Sequence, residues 1–173
     1  MEMIGEPDGL ERLWTPHRFG YIVGDDRPST PSQDECPFCE IPKRNDADGL
    51  IAFRGETCFV VLNLYPYNAG HLLICTYRHV ADYPELTAEE TSEMTQLTQE
   101  AMRVLRKVSS PHGFNLGMNQ GSAGGAGIAA HIHQHVVPRW GGDSNFMPLI
   151  AKTKVLPQLL SDTRQLIADA WKK

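Results

Sequence analysis

The 173-residue chain predicts an α+β domain: a mostly antiparallel sheet carrying one long helix and a C-terminal helix. Three observations point there. Short apolar runs of strand length are separated by turn-forming residues. One long segment repeats its apolar residues at helical spacing behind a capping signal. A second segment of that kind lies near the C-terminal end.

Residues 1–34 read as an N-terminal arm and linker, and residues 35–173 as the domain itself. Within the arm, Leu10-Glu11-Arg12-Leu13-Trp14 has the pattern of a short helical turn, and residues 24–34 are turn-rich. Cys36-Pro37-Phe38-Cys39 forms a tight knuckle. Leu50–Phe53 and Cys58–Leu62 are apolar runs on either side of Arg54-Gly55-Glu56, which predicts a hairpin. Tyr65–Gly70 is a turn-rich loop, and His71–Thr76 reads as a buried strand. Thr87 with Glu90 three residues on forms a capping box, from which Met94, Leu97, Ala101, Val104, Leu105 and Val108 mark one helical face. Pro111 and Gly113 end that helix. Phe114–Met118 and Ile132–Val137 are further strands, separated by the glycine-rich residues 121–127. A last helix over Pro157–Trp171 would pack through Leu159, Leu160, Leu166, Ile167 and Trp171.

Composition narrows the function classes. The hydrophobic fraction of 41% and charged fraction of 21% are those of an ordinary soluble globular protein. A net charge of −5 argues against a protein that coats nucleic acid, but leaves room for a small anionic substrate held by backbone N–H groups. No apolar run is long enough to cross a bilayer, and the acidic N-terminal stretch lacks the apolar region of a signal peptide, so a cytoplasmic location is expected. In a reducing compartment Cys36 and Cys39 are metal ligands or free thiols rather than a disulfide. Cys58 and Cys75 sit in apolar runs and read as small buried hydrophobes.

The chemistry concentrates in His131-Ile132-His133-Gln134-His135. On an extended strand, alternate side chains share a face, so the three imidazoles point one way. Together they are a catalytic row or an all-histidine zinc site; the bland alternative is a polar sheet face. GSAGGAG lies just upstream, and glycines let the backbone approach a ligand and form an anion nest. A phosphate site beside a nucleophilic imidazole is the joint expectation.

HIHQHVV resembles the signature of the histidine triad superfamily, histidines alternating with apolar residues, with Gln134 as a departure. CPFC, LNLYPYNAGHLLI, RHV and NQGSAGGAG fall in the family's order before it, so the resemblance covers roughly residues 36–150. With LERLWTPHR upstream and PRWGGDSNFMP downstream, the chain looks most like the bacterial diadenosine tetraphosphate phosphorylase or ATP adenylyltransferase branch. The resemblance implies that His133 attacks the α-phosphorus and forms a nucleotidyl-histidine. It implies that His135 contacts the α-phosphate and that His71 is a further active-site histidine. It places ribose binding at Asn63, a phosphate or leaving-group contact at Asn119, and backbone contacts to phosphate at Ala126 and Gly127. From the residues alone, Asn63 and Asn119 read equally as turn residues, and His71 as a core histidine.

The same resemblance implies a structural zinc site. Cys36 and Cys39 supply two thiolates at knuckle spacing, and the family places the other ligands at His79 and His131; a redox CxxC is the competing reading. The implied activity is cleavage of a dinucleoside polyphosphate, with inorganic phosphate as acceptor. A nucleotide or nucleoside-phosphoramidate hydrolase with water as acceptor, and a non-catalytic nucleotide sensor, are the alternatives. A homodimer, possibly a higher oligomer, is the expected assembly, with no nucleic acid polymer and no membrane among the partners.

Overall fold

The computed structural model describes residues 35–143 and 157–171. The expected arm over residues 1–34, with its Leu10–Trp14 turn, lies outside them. The knuckle becomes a single helical turn, α1 (Pro37–Glu40), followed by a 3-10 turn at Ile41–Lys43. Proline is the first residue of α1 and the second of the 3-10 turn, positions where its missing N–H is no loss.

Five strands follow: β1 (Ile51–Arg54), β2 (Cys58–Leu62), β3 (Leu72–Thr76), β4 (Gly113–Met118) and β5 (His133–Arg139). They form one sheet in the order β1-β2-β3-β5-β4, and every neighbouring pair is antiparallel. The long helix, α2 (Ala88–Ser109), starts on the expected capping box between Thr87 and Glu90 and stops at Ser110 in the left-handed region, φ 46°. The C-terminal helix, α3, spans Leu160–Trp171.

Alternation along the strands gives the sheet two different faces. Val60, Leu62, Leu72, Ile74 and Val136 turn toward Met94, Leu97, Ala101, Val104 and Leu105 of α2 and Ile167 of α3, and these make the main core. Phe59, Val61, Leu73 and Cys75 turn the other way and meet Cys36 and Phe38 from the knuckle. His133 pairs with Cys75 and His135 with Leu73, so both imidazoles lie on this second face, which the long helices do not cover. Cys58 and Cys75 are both fully buried, as expected.

One expectation fails on the C-terminal helix. Leu159 is 70% exposed and Leu166 is 42% exposed. The buried stripe runs instead through Thr163, Ile167 and Ala168, and Trp171 stacks on Phe53. Helical geometry explains this: Leu166 sits about 100° from Ile167, off the stripe. It lines, with Trp140 and Leu105, a cavity of about 330 Å³ behind the loop at Asn68–Gly70.

Candidate active site

β5 sets His133 beside His135, with ring centroids 5.0 Å apart. His131 precedes the strand; the N–H of its neighbour Ile132 is tied to the Val80 carbonyl at 2.7 Å. His131, His133 and His135 are all buried. The single row expected from alternation therefore divides into two sites.

In the first site, His133 Nδ1–H donates to the His131 carbonyl at 2.8 Å. That bond places the proton on Nδ1 and leaves a lone pair on Nε2. Burial pushes the His133 pKa down, favouring the neutral ring, which is the nucleophilic form. The Phe38 ring lies 4.9 Å from the His133 ring on the knuckle side.

A second chain of bonds fixes His135. The backbone N–H of Tyr67 donates to His71 Nδ1 at 3.0 Å, so that nitrogen is an acceptor and His71 carries its proton on Nε2. His71 Nε2–H then donates to His135 Nδ1 at 2.9 Å. His135 is left with Nε2–H, a buried donor with no partner among the described residues. Such a donor suits an anionic oxygen. Burial and the neighbouring imidazoles hold His71 at about 3 and His135 at about 4, so both are neutral.

In the second site, Cys36, Cys39, His79 and His131 converge, with one ligating atom from each within 4.8 Å of the others. Cys39 Sγ lies 3.2 Å from His79 Nδ1, and both thiols lie 3.5 Å from His131 Nδ1. A tetrahedral ion at ordinary Zn–S and Zn–N lengths needs donor separations of about 3.3–3.8 Å, so the set fits with small movements. His131 Nε2–H donates to the Thr76 carbonyl at 2.9 Å, which leaves Nδ1 for a metal. Burial and the adjacent Cys36 thiol push Cys39 up to about 11, a penalty a bound cation would reverse.

The remaining expected residues lie close by with other duties. The Asn63 amide donates to His71 Nδ1 at 3.2 Å and its oxygen accepts the Tyr65 N–H at 3.0 Å. It orients His71 and closes the turn, using one of its two amide hydrogens. Asn119 donates to the Gly125 carbonyl at 3.3 Å and braces the glycine loop. The N–H of Ala126 is used within that loop, on the Gly121 carbonyl at 3.3 Å, whereas Gly127 is exposed and nothing stands within 4 Å of where its Cβ would be.

Sequence reasoning missed Phe38, Tyr67 and Asn68. The Tyr67 ring stacks on His135 at 5.5 Å and 13°. Asn68 is buried; it donates to the Pro138 carbonyl at 3.1 Å and to Asp143 at 2.7 Å, while its own carbonyl accepts the His71 N–H at 3.1 Å. An aromatic and an amide just before a glycine-histidine pair were the available signal.

A family model described as the HIT domain matches residues 44–142. The chain is similar to a Mycobacterium tuberculosis protein named AP-4-A phosphorylase, 49% identical over 172 residues, which are 97% of this chain and 88% of the relative. It is also similar to the adenylylsulfatase HINT3 of Arabidopsis thaliana, 27% identical over 79% of this chain and 72% of that one. Among solved structures, a zinc-bound histidine triad family protein from Mycobacterium smegmatis superposes with a TM-score of 0.65 at 24% identity, over 82% of this chain and 96% of the other. A histidine triad nucleotide-binding protein from Sulfolobus tokodaii gives a TM-score of 0.66 at 23% identity, over 79% and 92%.

Proposed function

The chain belongs to the HIT domain family, and on that premise we propose that it cleaves diadenosine tetraphosphate by nucleotidyl transfer through His133, with phosphate as the acceptor. The observation that carries this reading is the bond from His133 Nδ1–H to the His131 carbonyl, which leaves the Nε2 lone pair for attack. Nε2 forms a bond to the α-phosphorus as the bond to the leaving nucleoside triphosphate breaks. An oxygen of phosphate then attacks the same phosphorus, the P–N bond breaks and its electron pair returns to Nε2. The products are ATP and ADP; water as acceptor would give ATP and AMP.

His135 Nε2–H is the donor we assign to an α-phosphate oxygen, and His71 holds it in that tautomer. Asn63 has a second amide hydrogen for a ribose hydroxyl. Asn119 shapes the glycine loop, whose backbone we assign to the phosphate chain, through the Gly127 N–H directly and through the Ala126 N–H once it exchanges the Gly121 carbonyl for a phosphate oxygen. For the cluster of Cys36, Cys39, His79 and His131 we propose structural zinc, which would neutralise the thiolates and pin the knuckle against β5. The assembly we expect is a homodimer, supported by the outer edge of β4, where Leu116 is 47% exposed. Among the described residues no helix is long and apolar enough to cross a membrane; a cytoplasmic location is what we expect from the sequence pattern.

The test is product analysis of diadenosine tetraphosphate with and without phosphate. ADP with ATP, appearing only when phosphate is present, is the expected result. AMP with ATP in the absence of phosphate makes the protein a hydrolase, and no turnover makes it a nucleotide sensor.

A further inference from the structure

The triad chemistry leaves the turn that follows β5 without a duty. Trp140-Gly141-Gly142-Asp143 closes tightly: the Asp143 N–H donates to the Trp140 carbonyl at 3.1 Å, and Gly142 takes a left-handed conformation, φ 80°. The turn folds the Asp143 carboxylate back onto the strand, with its side chain 9% exposed. Four N–H groups meet it there. Arg139 Nε and Nη2 donate at 2.6 and 2.8 Å, the Trp140 backbone at 3.1 Å and the Asn68 amide at 2.7 Å.

Asn68 carries this knot into the loop between β2 and β3. Packing alone holds that loop poorly. Leu64, Tyr65 and Tyr67 are exposed, and the cavity of about 330 Å³ lies behind Asn68, Ala69 and Gly70. The buried Asn68 side chain is the anchor: one amide hydrogen goes to the Pro138 carbonyl at 3.1 Å and the other to Asp143. The Asn68 backbone carbonyl accepts the His71 N–H at 3.1 Å, and the neighbouring Tyr67 N–H donates to His71 Nδ1 at 3.0 Å. Two of the bonds that hold His71 therefore come from residues 67 and 68.

We propose that Asp143 is a positioning residue for nucleotidyl transfer: through Asn68 it fixes the backbone around His71, and so keeps the His135 Nε2–H turned toward the α-phosphate. The inference rests on the reading above that this N–H meets that phosphate. Without the carboxylate, an amide hydrogen of Asn68 is left buried and unpaired, a cost that a shift of the loop would relieve. The shift lengthens the bond from the Tyr67 N–H to His71 Nδ1. His71 can then carry its proton on Nδ1 and no longer donates to His135.

The experiment compares the full chain with Asp143→Ala and Asp143→Asn. Nitrogen-15 imidazole spectra are taken without substrate, and kcat is measured on diadenosine tetraphosphate with phosphate present. Asp143→Ala should show mixed tautomers at His135 and lower kcat by about tenfold with little change in KM. Asparagine keeps an oxygen for the Asn68 amide, so Asp143→Asn should recover the single Nε2–H tautomer and most of kcat. His71→Ala combined with Asp143→Ala should be no slower than His71→Ala alone, since both act on one chain of bonds. Should Asp143→Ala fail a thermal-unfolding check, Asp143→Ser takes its place. A lower melting temperature with a single His135 tautomer overturns the proposal, and so does a multiplied loss in the double variant. The spectra need no turnover: if His135 responds as expected but the wild-type protein leaves diadenosine tetraphosphate intact, it is the nucleotidyl-transfer reading that fails.

Discussion

His133 and His135 are neighbours with opposite presentations. One offers a lone pair and the other an N–H, because each ring's second nitrogen is committed elsewhere. His71 has no such duty toward a substrate; it works through His135. Removing it should therefore free His135 to move its proton to Nδ1, which would turn a lone pair toward the phosphate. His71→Ala is expected to lower kcat by roughly 10–100-fold with little change in KM, and nitrogen-15 imidazole spectra should show mixed tautomers at His135. A variant with full kcat and a single Nε2–H tautomer would remove His71 from the chain of bonds. At this scale the sequence was partly readable. Period-two spacing located the histidine face but could not divide it, since the turn of His131 toward Cys36 and Cys39 depends on where β5 begins. Asn63 shows the other limit: turn closure and a binding role have the same signature until His71 Nδ1 is seen 3.2 Å away.

Two elements are held by side chains that do no chemistry. The hairpin turn between β1 and β2 points the N–H groups of Glu56, Thr57 and Cys58 at the Glu93 carboxylate of α2, at 2.6–2.9 Å. Thr57 adds its hydroxyl. Gly55 permits this approach, since a Cβ there would lie 2.3 Å from the Glu93 oxygen. Glu93→Ala should cost about 2–3 kcal/mol, read as a lower denaturant midpoint at unchanged slope. An effect below about 0.5 kcal/mol would mean that water replaces the carboxylate without penalty. The knuckle is held differently. It has one helical turn of its own and is anchored by the buried Cys36 and Phe38, and the zinc proposed for the four-residue cluster would add a second hold. Chelation or Cys39→Ser should release zinc, lower the melting temperature and slow nucleotidyl transfer, because Phe38 and the His131 carbonyl both touch His133. Unchanged stability after complete chelation would rule out a structural ion. Strands and α2 were legible because periodicity and the Thr87–Glu90 box are local signals. Burial on α3 was not, because apolar residues at 159, 160, 166 and 167 do not say which pair faces the sheet.

The molecule keeps its two sheet faces for different work. Helices cover one face and make the main core, whereas the other buries imidazoles that must stay neutral. This arrangement has a consequence for stability as a function of pH. His71 and His135 are held near 3 and 4, first by burial and then by neighbouring imidazoles, His135 and His133 acting on His71 and His133 on His135, against 6.5 for an ordinary imidazole. Between about pH 6.5 and 4 the unfolded chain takes up protons at these positions that the folded protein refuses. Their contribution to stability is thus complete above pH 6.5 and is lost as pH falls through this window. Unfolding free energy, measured in denaturant from pH 7 to pH 4, should decline steadily. His71→Asn removes one of the two groups and should flatten that slope, even if the variant is less stable at pH 7. A slope identical to the wild type would mean that the His71–His135 pair accepts a proton in the folded state, and with it that His135 does not present a fixed N–H to the phosphate.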